Sequence, residues 1–313
     1  MKHLAVVALI LASLSLQAQT KKIEKLNIRI LSTMLADRGI GEWGFCALIE
    51  FDGKKILFDT GARPETVFNN ATELGVDLSD VTDVFISHSH GDHTGGLALL
   101  RERFAAKNPK ALSVAHIGEG AFYPRNDADY NNSVTTFKNS FEKSGGRFII
   151  YNGPKQIYPG VWITGPVPRT HDERNWSTLG KLTTPDGKTI EDNVPEDQSL
   201  VFNTTQGTVV VSGCGHSGVI NTLAYTQQFQ PGAVHALIGG FHLFALNDDK
   251  LNWTIDQLRT HNVKNFIGAH CTGIHAVYAI QKGLSLDRAH CVVGAVGASF
   301  VLGEGIHPGV LAK

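Results

Sequence analysis

The sequence predicts an α/β fold in which two β-sheets pack face to face with helices on the outside. Three observations predict it: a first half in which strand-like runs give way to helical ones, a second half that repeats this rhythm, and no internal repeat or low-complexity linker between them. In the first half, residues 26–31 alternate apolar and polar side chains. Residues 45–51 and 55–58 read as a hairpin turned by Asp52-Gly53. A helix is expected over 65–74, a short buried strand over 84–87 and a second helix over 96–104. Residues 111–195 are less regular, with strands only at 148–151 and 161–164. The polar stretches 118–132 and 169–193 have the character of lids or binding loops. In the second half, strands are expected at 199–202, 208–212, 236–238 and 266–268, with helices at 218–229 and 251–261.

The 313 residues suffice for a substantial core. A formal net charge of -1 supplies no electrostatic reason for a nucleic-acid partner. The N-terminus has a charged start at Lys2, an apolar run from Leu4 to Leu16 and small residues around Ala18. That pattern is a signal peptide over 1–18, followed by one domain over 19–313, in an exported protein of the periplasm or medium. The run is too short for a membrane span and no lipid-anchor cysteine follows it, so no membrane anchor is expected. Cys46, Cys214, Cys271 and Cys291 are too few for a disulfide framework.

The chemistry is concentrated in His88-Ser89-His90-Gly91-Asp92-His93, directly after an apolar strand. Alternate side chains of an extended chain point the same way, so His88 and His90 can hold one ion together. Gly91 lets the chain turn, so Asp92 and His93 can face a second ion. Imidazoles and a carboxylate suit two divalent cations, zinc first, with iron and manganese as alternatives. By contrast His116, His235, His261, His275, His290 and His307 read as surface or hydrogen-bonded core residues.

The run from His88 to Gly96 resembles the HxHxDH signature of the metallo-β-lactamase superfamily, and Leu57-Phe58-Asp59-Thr60-Gly61 is similar to that superfamily's strand with an Asp-Thr-Gly turn. The resemblance implies a four-layer αβ/βα sandwich with the metals at one edge of the sheets. Ser212 to Gly218, Gly239 to Leu243, Ala269 to Gly273 and Thr164 to Arg169 are similar to the dihydropteroate-synthase-like branch. That branch is named for archaeal 7,8-dihydropterin-6-methyl-4-(β-D-ribofuranosyl)aminobenzene-5'-phosphate synthases. It implies that His216 and His270 complete the two metal shells. The superfamily's usual bridging aspartate is replaced by Gly213-Cys214, so either the Cys214 thiolate binds the metals or His216 substitutes for the bridge. Cys271 reads as packing, and Asp59 as a carboxylate that orients a ligand histidine through its ring N–H. His242, His171, Arg125 and Arg169 are candidates for substrate contact.

The expected function is a metal-dependent hydrolase in which hydroxide, available at neutral pH on two metals, attacks an ester, lactone or phosphodiester of a small molecule. Asp92 is the candidate for moving a proton to the leaving group. The alternatives are a pterin-type transferase, as the branch name implies, and a non-catalytic metal-dependent binding protein that uses the loops around Tyr123 and Trp176. A β-lactamase is disfavoured by the missing bridging aspartate.

Overall fold

The computed structural model describes residues 21–312 except 177 and 178, so the expected signal segment lies outside the described residues. The chain runs β1 (Leu26–Ser32), β2 (Cys46–Phe51), β3 (Lys54–Phe58), α1 (Thr66–Glu73), β4 (Asp83–Phe85), α2 (Gly91–Thr94), α3 (Leu97–Ala105), β5 (Val114–Gly118), α4 (Ala128–Lys143) and β6 (Arg147–Tyr151). It continues through β7 (Lys155–Tyr158), β8 (Val161–Ile163), β9 (Lys181–Thr183), β10 (Thr189–Glu191), β11 (Ser199–Thr204), β12 (Gly207–Ser212) and α5 (Val219–Phe229). Last come β13 (Val234–Gly239), α6 (Asp248–Thr260), β14 (Asn265–Gly268), α7 (Ile274–Gly283), β15 (Cys291–Val293), β16 (Ser299–Val301) and β17 (Gly305–His307). One sheet has the order β17-β16-β1-β2-β3-β4-β5-β6 and the other β15-β14-β13-β12-β11-β8-β7, with β9 and β10 as a separate hairpin.

Three apolar layers hold this sandwich together, and alternation along the strands sorts residues between them. In β2, Ala47 and Ile49 face the opposite sheet while Cys46 and Leu48 face α1 and α3. In β12, Val209 and Val211 join the layer between the sheets and Val210 packs under α5 and α6. Strands covered on both faces read as unbroken apolar runs, as Val209 to Val211 does. The α/β sandwich expected from the sequence is the fold observed.

The Asp52-Gly53 turn is as expected, with φ of 43° and 79° at its two central residues, the backbone a two-residue hairpin requires. The middle of the chain differs. The stretch expected to be an irregular loop at 118–132 runs into α4, a 16-residue helix. Asp127 caps it by accepting the Tyr130 N–H, yet only Val134 and Phe141 are fully buried along it. With Asn131, Asn132, Thr135 and Thr136 on its other faces, α4 lacks a strong apolar period and is held by docking. The 169–193 loop likewise contains the β9–β10 hairpin. The C-terminal strands β16 and β17 return to the first sheet beside β1, so the sheets do not divide strictly between chain halves.

Phe58 is fully buried between the sheets and packs edge-on to Phe45. Phe58→Ala is expected to cost about 3–5 kcal/mol, read as a lower urea midpoint with an unchanged denaturant slope.

Candidate metal centre

Every candidate ligand sits where a parallel strand ends. In the first sheet β3, β4 and β5 are parallel neighbours, and Asp59 follows β3 while His88 to His93 follow β4. In the second sheet β12, β13 and β14 are parallel. Cys214 and His216 follow β12, His242 follows β13, and His270 and Cys271 form a 3-10 turn after β14. The carboxyl ends of parallel strands are where open α/β sheets leave a crevice for chemistry.

Two triads of donors result. His88, His90 and His216 present ring nitrogens within 4.8 Å of one another, and so do Asp92, His93 and His270 with their carboxylate and ring atoms. The extended backbone at His90 and the helical turn of α2 divide the first run between the two triads as its spacing predicts. Within the second triad, His270 Nε2 lies 3.3 Å from both His93 Nε2 and Asp92 Oδ2. Cys214 Sγ falls within 4.8 Å of the donors of His88 and His93, between the triads.

The far side of three rings is pinned. His93 Nδ1 donates to Asp59 Oδ2 at 2.7 Å. Asp59 also accepts the Ser87 N–H at 2.7 Å and the Ser87 hydroxyl at 2.8 Å. Because that hydroxyl proton is spent on Asp59, Ser87 Oγ accepts from His88 Nδ1 at 3.0 Å. His216 Nδ1 donates to the Asn175 carbonyl at 2.5 Å. Each ring therefore carries its proton on Nδ1 and turns an Nε2 lone pair inward. The Nε2 atoms of His88 and His216 are buried without any hydrogen-bond partner. Such orphaned acceptors are costly unless a cation meets them, so the residues present fit a metal.

Electrostatics agree at the first triad. Burial and the neighbouring imidazoles hold His88 and His216 well below the ordinary histidine range, and burial lowers His90, so these rings are neutral as ligands must be. Burial pushes the Asp92 carboxyl up, but His93 and His270 outweigh it and hold it well below the usual range. A carboxylate that stays charged in this way suits cation binding. Burial lowers His270, yet Cys271 and Asp92 raise it to about 10.

The other sequence candidates fall differently. Arg125 is buried, with its guanidinium paired to Glu196 at 2.9 Å and Asp192 at 2.9 Å and donating to the carbonyls of Gly120, Ala121 and Tyr123. It has no N–H to spare for a substrate. Glu196 in turn accepts the Ser89 hydroxyl, whose oxygen also meets Tyr130 OH, so Arg125 positions the link between His88 and His90. Arg169 donates through its two terminal nitrogens to the carbonyls of Val167, Asn193 and Val194, while its Nε is buried without a partner. His171 packs toward Trp253 on α6 and joins neither triad. His242 does reach the centre, its ring 4.5 Å from that of His216. Cys271, expected to be packing alone, has its sulfur 3.1 Å from Cys214 Sγ. Trp176 and Tyr123 bond to Glu191 and Glu119, whereas the exposed rings of Trp43 and Phe244 lie beside the centre, Trp43 tilted over His270 at 4.8 Å and Phe244 5.2 Å from His242. Ser87, the Asn175 carbonyl and Trp43 carried no signal in the sequence, because each acts through a contact made only on folding.

Two outcomes follow from this geometry. Below about pH 10 a cation entering the second triad must displace the His270 proton, whereas the first triad is already neutral. Calorimetric zinc titration between pH 6.5 and 8.5 should show one affinity rising roughly tenfold per pH unit and the other nearly flat. Asp59→Asn removes the acceptor that fixes His93, and the same titration should read a 10–100-fold weaker cation affinity, to the order of magnitude usual for such partners.

Residues 44–220, which is 177 of 313, match the family described as "Metallo-beta-lactamase superfamily". The chain is 28% identical over 291 residues to the 7,8-dihydropterin-6-methyl-4-(beta-D-ribofuranosyl)-aminobenzene-5'-phosphate synthase of Methanocaldococcus jannaschii, covering 88% of this chain and 97% of that protein. Among solved structures it is similar to Tm1679, described as a metal-dependent hydrolase of the beta-lactamase superfamily. There the TM-score is 0.69 at 24% identity, over 88% of this chain and 98% of that one. The metallo-beta-lactamase fold protein YhfI from Bacillus subtilis matches at a TM-score of 0.55 and 13% identity, over 89% of this chain and all of that one. With the family match spanning the Asp-Thr-Gly turn, the His88 to His93 run and His216, this chain belongs to the metallo-beta-lactamase superfamily.

Proposed function

We propose that this chain is a metal-dependent hydrolase of an ester, lactone or phosphodiester bond in a small molecule, with two divalent cations, zinc by preference, held by the two triads. The observation that carries this reading is the pair of adjacent triads, with the Nε2 atoms of His88 and His216 buried and orphaned while the Nδ1 atoms of His88, His93 and His216 are pinned. When bound, such cations make water acidic enough to supply hydroxide near neutral pH and polarise the oxygen of the scissile group. Zinc is supported by a donor set of imidazoles, one carboxylate and a thiol.

The chain's own residues do the positioning. Asp59, Ser87 and the Asn175 carbonyl hold three rings at one tautomer, so no reorganisation is required when charge develops in the site. The apolar wall of Trp43 and Phe244, whose rings meet edge to face at 5.6 Å, limits water beside His270. A cavity of about 220 Å³ lined by Met34, Ala269 and Ile274 shares His270 with the second triad and offers room for an apolar group of the substrate. No residue with a pKa near neutrality is needed as a base in this scheme. Export to the periplasm or medium is supported by the charged and apolar pattern of residues 1–18, with 19–313 as the mature domain. Among the described residues no helix is long and apolar enough to cross a membrane.

A transferase acting on a dihydropterin is the second reading, favoured by the full-length likeness to the archaeal synthase. It would use the same two triads with an aminobenzene acceptor in place of water.

The test is metal analysis of the purified protein followed by a panel of phosphodiester, ester, lactone and β-lactam substrates. At least two cations per chain are expected, with hydrolysis of one of the first three classes that chelation abolishes and added zinc restores. A chain without stoichiometric metal, or an activity indifferent to chelation, would sink the hydrolase reading. Condensation of a dihydropterin pyrophosphate with an aminobenzene, in place of hydrolysis, would establish the transferase.

A further inference from the structure

Of the four cysteines, Cys46 packs in the layer under α1 and α3, and Cys291 in the layer under α7. The other two face each other. Cys214 Sγ lies 3.1 Å from Cys271 Sγ and 3.2 Å from His242 Nδ1, and all three donor atoms fall within 4.8 Å of one another. They come from three different strand ends, after β12, β13 and β14, and both sulfurs are buried. Neither triad uses Cys271 or His242.

From this juxtaposition we propose that Cys214, His242 and Cys271 form a third cation position, for a thiophilic divalent ion such as zinc, sharing Cys214 with the space between the two triads. The proposal rests on the two-triad reading only for that sharing.

Two thiolates and an imidazole are the soft donor set that zinc prefers, and two thiolates cancel the ion's charge in a buried place. Binding forms two S–metal bonds, and each cysteine that is still a thiol gives up its S–H proton to solvent as its bond to the metal forms, with no change of oxidation state. Bonds of about 2.3 Å to sulfur and 2.0–2.1 Å to nitrogen require donors roughly 3.5–3.8 Å apart in a tetrahedral shell, so these three need to open by about half an ångström. The backbone is arranged for the cluster. His242 holds φ at 50°, a left-handed conformation that a histidine seldom adopts, and in it the His242 N–H donates to Cys271 Sγ at 3.3 Å. A Cβ on Gly240 would lie 2.1 Å from the Gly213 carbonyl oxygen and 3.1 Å from Cys271 Sγ, so only glycine lets the loops after β12 and β13 come this close. A thiolate sulfur has lone pairs enough for two cations, which places Cys214 where a bridging aspartate is expected in the superfamily and gives it a second partner there.

The experiment is zinc stoichiometry of the full chain after loading and exhaustive dialysis, with the near-ultraviolet thiolate-to-metal absorption of the cobalt-loaded protein as a second readout. Three zinc ions per chain are expected for the wild type and two for Cys271→Ser, with about half of the thiolate absorption lost. His242→Ala should also lose one ion, and it serves if the Cys271 variant does not fold. Two zinc ions in the wild type with unchanged absorption in Cys271→Ser would overturn the third position and leave the hydrolase reading standing. A wild-type mass lower by two hydrogens, with Cys214 and Cys271 joined as a disulfide and no third ion, would overturn it as well. No bound cation in any form of the protein, whether zinc, iron or manganese, would remove both readings.

Discussion

The arrangement depends first on the Asp59 carboxylate. It is fully buried, follows β3 in a left-handed backbone conformation, and accepts three hydrogen bonds from Ser87 and His93. A buried carboxylate is costly without such partners and strongly orienting with them. Through Ser87 its influence reaches His88, and through His93 it reaches the second triad, so one side chain sets a ring in each. The Asp-Thr-Gly turn adds a second restraint, because Thr60 bonds to the His93 carbonyl and keeps α2 against the end of β3.

The two sheets meet closely at this point, and the sequence makes room for it. A Cβ on Gly213 would lie 2.2 Å from both Asp59 Oδ2 and Ser87 Oγ. Glycine there lets the end of β12 approach the Asp59–Ser87 pair and brings Cys214 and His216 over the ends of β3 and β4. Gly95 does the same on the other side, since a Cβ would collide with the Ala62 carbonyl oxygen. Close packing of backbones is thus what brings separate strand ends together as one cluster of candidate metal donors.

Charge is managed by separation of tasks. The rings of the first triad are kept neutral by burial and by one another, ready for a cation. The cationic Arg125 is kept on the far side of Ser89, neutralised by Glu196 and Asp192, where it stiffens the run between His88 and His90 without competing for ligands. A buried pair of this kind contributes little net stability, and its worth here is geometric. The same loops that carry these ion pairs looked irregular in sequence because they are ordered by contacts from α4 and the β9–β10 hairpin, not by an apolar period of their own.

By itself the sequence determined the α/β class, the Asp52-Gly53 hairpin, the strand leading into His88 and the division of His88, His90, Asp92 and His93 between two donor clusters. These rest on local rules, the two-residue period of a strand and the turn that glycine permits, which need no knowledge of distant residues. Resemblance to a family then supplied His216 and His270, which no local rule connects to the first run. Only the tertiary structure decided the rest. It made Arg125 and Arg169 structural, removed His171 from the centre, brought Cys271 to Cys214 and set Ser87 and the Asn175 carbonyl behind the rings. Cys214 and Cys271 are 57 residues apart, and His216 and Asn175 are 41 apart. The first of these contacts comes from how parallel strands are ordered in the second sheet and the second from how a loop folds over their ends, and both are set by the packing of whole layers, which no short window of sequence contains.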